Sequence, residues 1–308
     1  MIRVERSTDM RIRQLLLFDL LLLAITILVT RIGCLIHEVV GHALFAHLLG
    51  AHLRSIEVTL FAGGSVDWWY DCDRSWAYNF WPTAMGMLLN LFTGAIALAF
   101  ARRFEGRPIL GPLCAFFGAG SILLPLAYWI IGLYYGVGDP ESLWVAHLSS
   151  AEYLALRSHP WNGLRLALPF LPLTPLISYW VVRPYCRIQQ ARFPSATHLG
   201  RVWVGVLTCG VAGVGYLALY ALTDRFVPQH LIVFDAAKLA AKEAAHRAQP
   251  VGNFPVIPAV AFLYVLGAVL AQRKSESASS AKPLSTRAVI SVVLAAVAIL
   301  ALIQVCYL

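Results

Sequence analysis

Five uncharged, mostly apolar stretches dominate this 308-residue chain: Phe80–Ala101, Pro108–Gly138, Val202–Thr223, Phe254–Gln272 and Ala288–Leu308. Crossing a bilayer as a helix takes ~20 such residues. Inside hydrocarbon a chain must satisfy its own backbone hydrogen bonds, so runs of this length fold as helices. The balance of 59% hydrophobic to 13% charged residues agrees, because soluble domains run to ~45–50% and ~25%. An all-α polytopic membrane protein with about seven transmembrane helices is expected. A water-soluble globule, a disordered chain, a collagen, a nucleic-acid module and a small disulfide scaffold are excluded by the same arithmetic.

The formal charge of +8 does not imply a nucleic-acid partner, since the 24 Lys and Arg flank the apolar runs without forming a basic face. The six cysteines are scattered singly with no CxxC, and most sit in apolar runs where Cys acts as a small hydrophobe. Arg3, Arg6, Arg11 and Arg13 precede Leu15–Val29 without a small-x-small cleavage site, so the N-terminal segment reads as an uncleaved anchor. Its helix is expected over about 15–49, with Gly33 as a bend. A small β-hairpin follows at about 54–69, where polar and apolar residues alternate around Gly63-Gly64. Further helices are expected at about 80–101, 109–136 (kinked at Pro125), 164–182, 202–223, 254–272 and 288–308.

Between them, Pro140–His159 reads as an interfacial segment with Trp144 at headgroup depth. Phe234–Ala248 reads as a helix outside the membrane with Glu243 and Arg247 paired, and Ser275–Ala281 as a linker. Trp68, Trp69, Tyr70, Trp76, Tyr78 and Trp81 form an aromatic cluster of the kind that lies at a membrane surface. Lys and Arg concentrate before the first helix and at 102–107, 183–201 and 273–287, which places these segments and the N-terminus on the cytoplasmic side.

Ionisable side chains inside a bilayer are costly and mark function by default. Their densest cluster is His37-Glu38-Val39-Val40-Gly41-His42. Two imidazoles that hold a metal, with a Glu that takes a proton from water, form the core of a zinc hydrolase. The usual H-E-x-x-H places both His on one helix face. Here one more residue intervenes, and five residues turn a regular helix by about 140° past full turns. The rings diverge unless the turn is widened. A π-bulge adds one residue to a turn, and Gly41 suits that deformation. The zinc motif of dipeptidyl peptidase III, H-E-L-L-G-H, is similar here. A His42–His47 pair is a weaker option, with His52 continuing the same interval, and helix histidines bonded to their neighbours are the plain alternative.

His37-Glu-Val-Val-Gly-His-Ala-Leu-Phe-Ala in a membrane helix resembles the site-2 protease family of intramembrane zinc metalloproteases. A second family element, G-x-x-x-N, is matched by Gly86-Met-Leu-Leu-Asn90. The resemblance implies close helix approach at Gly86 and hydrogen bonding from Asn90 to a substrate carbonyl. It also implies a His-His-Asp site closed by an aspartate from a further span. The family's N-P-D-G form is missing, and the best substitute is Asp139 in Gly136-Val-Gly-Asp-Pro-Glu. Asp139 is either that ligand or a cap on the segment after it. Asp67 and Asp235 are poorer choices, and Asp19 lies about five turns before His37.

On this resemblance residues 1–140 form a metalloprotease core, and 141–308 add helices of unknown role. His37, His42 and Asp139 would bind Zn2+, with Glu38 as general base and Asn90 positioning the substrate. The partners implied are the bilayer and membrane-protein substrates, either single-span proteins or signal-peptide remnants. The competing readings are a non-proteolytic relative whose widened motif binds no metal, and an ion- or proton-coupled transporter.

Overall fold

The computed structural model describes residues 2–61, 63–71, 76–135, 138–145, 160–194, 197–223, 230–234, 256–273 and 282–305. Helix α1 (Ile2–Leu35) runs through Gly33 without a break and continues into a nine-residue π-helical segment, Ile36–Leu44, and then α2 (Phe45–Leu48). Strands β1 (His52–Val58) and β2 (Gly64–Trp69) follow. Next come α3 (Trp76–Arg103), α4 (Leu110–Tyr135) and the short α5 (Gly138–Val145). The second half holds α6 (Pro160–Ala167), a 3-10 turn at Leu168–Phe170, α7 (Leu173–Arg192), α8 (His198–Thr223), β3 (His230–Val233), α9 (Val256–Arg273) and α10 (Thr286–Val305).

Five helical stretches are long and apolar enough to cross a membrane: Ile12–Leu48, Tyr78–Arg103, Leu110–Tyr135, His198–Leu219 and Thr286–Val305. A sixth is the pair Gly163–Phe170 and Leu173–Arg192, bent by 41°. Pro169 and Pro172 fall at that bend and have no N–H to give the helical ladder. Ala259–Gln272 is a shorter apolar helix.

Helix α7 carries on ten residues beyond the boundary expected at 182, and its last turns bury Gln189 and Gln190 inside the bundle. Gln189 donates to the Arg201 carbonyl at 3.0 Å and accepts from the Gln272 side chain at 2.8 Å. Phe234 closes β3, and the rest of the expected helix to Ala248, with Glu243, Arg247 and Asp235, lies outside the described residues, as does the linker Ser275–Ala281.

Helix α1 is the axis of the bundle. Its fully buried Phe18, Leu21, Leu22 and Ile25 pack with Ala115 of α4, Tyr185 and Ile188 of α7, Ala212 of α8 and Val289 of α10. At one end of the bundle Arg13 donates to Thr286, Gln14 exchanges two bonds with Leu284, Arg187 pairs with Glu105 and Arg201 donates to the Gln272 carbonyl. The basic segments 102–107, 183–201 and 282–287 therefore gather beside the start of α1.

The sheet lies toward the opposite end. Its order is β2-β1-β3, all antiparallel, with Ile56 opposite Val66 on one side and Ile232 on the other. The expected hairpin is thus two strands of a three-stranded sheet. Ile56 and Val58 anchor it against Ala43 of the π-helical segment and Ile303 of α10. The turn after β1 is tied to the bundle by Arg31 of α1, which donates to the Thr59 carbonyl and to the Tyr216 hydroxyl of α8.

Helices α3 and α4 approach through glycine. A Cβ on Gly94 would lie 2.9 Å from Ile122 Cγ1 and 3.0 Å from Ser121 Cβ, and one on Gly118 would lie 2.6 Å from Leu98 Cγ. Gly94→Val is therefore expected to cost about 1–3 kcal/mol through overpacking, read as a lowered thermal midpoint in detergent. Gly33→Ala, with nothing within 4 Å of the added carbon, should leave that midpoint unchanged or raise it.

Candidate metal centre

The extra residue of the H-E-x-x-x-H motif is absorbed by the π-helical segment Ile36–Leu44, which contains all of it. A π-helix closes i→i+5 bonds, so residues five apart stand one above the other. His37 and His42 consequently project to the same side, with their Nε2 atoms 3.0 Å apart and their rings nearly perpendicular at 88°. Gly41 makes the widened turn compatible with helix packing. A Cβ there would fall 2.4 Å from the Gly86 Cα, so the π-helical segment and α3 meet backbone to backbone. Gly86 in turn leaves room for the rings, since its own Cβ would lie 2.6 Å from His42 Nε2 and 2.9 Å from His37 Cε1.

Each imidazole is fixed through its other nitrogen. His42 Nδ1 is 2.7 Å from the Pro82 carbonyl, and a carbonyl only accepts, so Nδ1 carries the proton. His37 Nδ1 lies 3.1 Å from the Asn90 amide. Trp68 of β2 lies over the His42 ring, centroids 6.1 Å apart and planes 29° apart, and its indole N–H donates to Asn79 of α3. Pro82 has no N–H to offer the Tyr78 carbonyl one turn earlier, and the Tyr70 hydroxyl donates to it. The sheet and α3 are thereby joined around the site.

Asp139 completes the cluster from α5. Its Oδ2 is 3.1 Å from His37 Nε2 and 3.2 Å from His42 Nε2. The backbone is turned into place by Gly138, whose φ of +69° is left-handed and whose absent Cβ would fall on the Tyr128 hydroxyl. That hydroxyl, from α4, accepts the Asp139 N–H at 3.1 Å. Burial works to raise the pKa of the Asp139 carboxyl, but when the facing imidazole nitrogens carry protons, hydrogen bonding with His37 and His42 outweighs it and holds the group well below the usual carboxylate range.

Three donor atoms thus form a triangle with edges of 3.0, 3.1 and 3.2 Å. With Nδ1 protonated, a neutral His42 presents a lone pair from Nε2 toward a carboxylate oxygen. Such an arrangement is repulsive until a proton or a cation lies between them. Ligands held tetrahedrally at ~2.0–2.2 Å from a metal stand about 3.3–3.6 Å apart, a few tenths of an ångström longer than the edges of this triangle. Glu38 lies beside it, 5% exposed, and its Oε2 has no hydrogen-bond partner. A buried carboxylate oxygen without a donor is expensive, and a water on a bound cation is a donor of the kind it lacks. The donor set and the orphaned oxygen both fit a divalent metal.

The cluster opens on a cavity of about 1040 Å³, whose walls include Arg31, Glu38, Trp68, Asn90, Ser121 and Tyr128. Among the described residues His37, His42 and Asp139 are the group able to hold a metal ion. The other candidates are placed elsewhere. Asp67 lines the cavity but pairs with Arg54 at 3.1 Å. His47 is exposed, and His52 is exposed and paired with Asp71 at 2.9 Å. Asp19 is toward the basic end of α1, and Asp235 falls outside the described residues.

Sequence reasoning missed Tyr128, the Pro82 carbonyl and Trp68 as supports. A Tyr eleven residues before Asp139 and a Pro four before Gly86 carry no signature of their own. The Gly before Asp139 was the legible clue to a turned backbone.

Fold and site together define a multi-pass helical membrane protein with a His-His-Asp cluster able to bind a metal. Compared with known proteins, the chain matches no family model, no curated protein and no solved structure.

Gly86→Ala puts a methyl group where the imidazoles stand. It is expected to weaken binding of a divalent metal at this cluster at least about tenfold, the scale of losing a support to a metal ligand, measured by competition with a chromophoric chelator. An unchanged affinity means that the rings do not hold the metal at this position.

Proposed function

We propose that the chain is an intramembrane zinc metalloprotease of the site-2 protease type, cleaving peptide bonds of membrane proteins in or near the bilayer. The observation that carries this reading is the convergence of His37, His42 and Asp139 beside a buried, unpartnered Glu38 oxygen. Imidazole and carboxylate donors suit zinc. His37, His42 and Asp139 would hold it; when bound, zinc makes a water more acidic and polarises a peptide carbonyl.

The chain's own groups supply the rest. Glu38 takes the proton of the attacking water and returns it to the leaving amine. The Pro82 carbonyl keeps the His42 proton on Nδ1 and its Nε2 free to ligate. For His37 to ligate through Nε2, its Nδ1 must also carry a proton. A turn of the Asn90 amide then brings Oδ1, which otherwise has no partner, into place to accept it. Asn90 also lines the cavity, within reach of a substrate carbonyl.

A helical substrate has its carbonyls engaged and must be extended before attack. Strand β2 borders the cavity and, among the described residues, pairs with β1 alone. Its other edge offers main-chain hydrogen bonds to an extended segment. Single-span membrane proteins and signal-peptide remnants are the substrates this arrangement suits.

The gathering of the basic segments at one end of the bundle supports seven spans with the N-terminus cytoplasmic. Tags at the two termini should then be digested from opposite sides of sealed vesicles. Digestion of both from one side rules out an odd number of spans.

Purified protein should carry about one zinc per chain and lose it in His37→Ala. Glu38→Gln should keep the zinc and slow cleavage of co-expressed single-span substrates by about 10²–10⁴-fold, the range for losing a general base. Cleavage by Glu38→Gln at the unaltered rate overturns the proposal, as does zinc binding without any cleavage.

A further inference from the structure

Helix α4 turns one face toward the cavity. Ser121, Leu124, Pro125 and Tyr128 recur at three- and four-residue intervals, and all of them line it. Tyr128 is the last of the four and is 37% exposed, whereas Glu38 and His42 beside it on the wall are buried. A phenol hydroxyl accepts through its lone pairs and has one proton to give. The accepting side is used, since it takes the Asp139 N–H at 3.1 Å. Its proton has no acceptor among the described residues.

Other donors on the same wall are spent within the protein. The Trp68 indole N–H goes to the Asn79 side chain and the Thr83 hydroxyl to the Asn79 carbonyl, while the Asn90 amide faces His37 Nδ1. The Tyr128 hydroxyl is also tied to the metal centre itself. The N–H that holds it belongs to Asp139, whose Oδ2 is 3.1 and 3.2 Å from the two imidazoles. Four covalent bonds separate that nitrogen from that oxygen, a reach of at most about 5 Å. The hydroxyl is therefore within about 8 Å of Asp139 Oδ2, a distance that one peptide unit, ~3.8 Å between its Cα atoms, can bridge.

We propose that Tyr128 is a catalytic residue, whose O–H donates to the carbonyl oxygen of the bond being cut as negative charge develops there. The assignment rests on the reading of the chain as a peptidase. Water loses one proton to Glu38 as its oxygen bonds to the carbonyl carbon, and the π pair of the carbonyl moves onto oxygen. Tyr128 keeps its proton and stabilises that charge by a hydrogen bond. When the C–N bond breaks, its electron pair stays on nitrogen, which takes the proton from Glu38, and the carbonyl re-forms. A donor fixed in advance bonds more strongly to the oxyanion than to the neutral carbonyl, so its effect falls on the rate more than on substrate binding.

Tyr128→Phe keeps the ring and removes the hydroxyl. The test uses the full-length, zinc-loaded chain in detergent, with two fluorescein-labelled probes. One is an alternating leucine–alanine hexapeptide amide, bound to chains that also carry Glu38→Gln so that it is not cut. The other is its phosphinic analogue, in which a tetrahedral P(O)(O⁻)–CH2 unit replaces the central amide. Tyr128→Phe should leave the affinities for zinc and for the hexapeptide unchanged and bind the analogue about tenfold or more weakly, as for a lost hydrogen bond to a charged group. Cleavage of co-expressed single-span substrates should slow by about 10²–10³-fold, the range for removing one oxyanion donor.

Zinc affinity that falls with the hydroxyl makes Tyr128 a support of Asp139 alone and overturns the proposal, as does undiminished binding of the analogue. Should Tyr128→Phe fail to fold, a ring-fluorinated tyrosine incorporated at position 128 retains the hydroxyl. Its fluorine resonance should move further with the analogue than with the hexapeptide, and an equal shift overturns the assignment. The peptidase reading is judged separately. Cleavage that continues at the full rate in Tyr128→Phe sinks the role of Tyr128 alone. An unaltered, zinc-loaded chain that cleaves nothing and binds the analogue no better than the amide sinks the peptidase.

Discussion

The site depends on one local departure from helical geometry. Two imidazoles five residues apart cannot meet on a regular α-helix, and the π-helical turn of Ile36–Leu44 brings them together. Widening a turn sacrifices backbone regularity, so something must hold it open. Here that is the backbone contact between Gly41 and Gly86, where neither residue can take a side chain. The same two glycines bring α3 close enough for the Pro82 carbonyl and the Asn90 amide to grip the rings. Ring convergence, helix packing and ring orientation are therefore one feature and stand or fall together.

Much of this was legible in the sequence, for identifiable reasons. The apolar runs announced helices because a bilayer-length stretch has few other stable conformations. His37, Glu38 and His42 drew attention because ionisable groups are rare inside such runs, and the five-residue interval itself signalled a widened turn. The Gly63-Gly64 pair marked the hairpin because alternation reversed around it. Gly86 and Asn90 were found through the family pattern, and the structure shows what each one touches.

What the sequence concealed was relational. Strand β3 consists of only four residues, His230–Val233, with no strong alternation, and acquires its strand conformation from pairing with β1. Helix α7 outruns its apolar stretch because Gln189 and Gln190 are buried by neighbours that a linear reading cannot locate. Tyr128 matters only because Gly138 turns the chain back toward it. Arg31 carries no signature in a linear reading, since its acceptors lie 28 and 185 residues away in sequence.

The second half of the chain also bears on the first. Because β3 pairs with one side of β1 and β2 with the other, the strand that lines the cavity, β2, is an edge strand among the described residues. The turn after β1 is held at its depth by Tyr216 of α8 as well as by Arg31 of α1. A sheet of two short strands is marginal on its own, so the register and depth of the hairpin depend on α8 and β3. The helices beyond residue 140 thus do more than fill membrane. They hold the hairpin whose second strand lines the cavity beside the histidines.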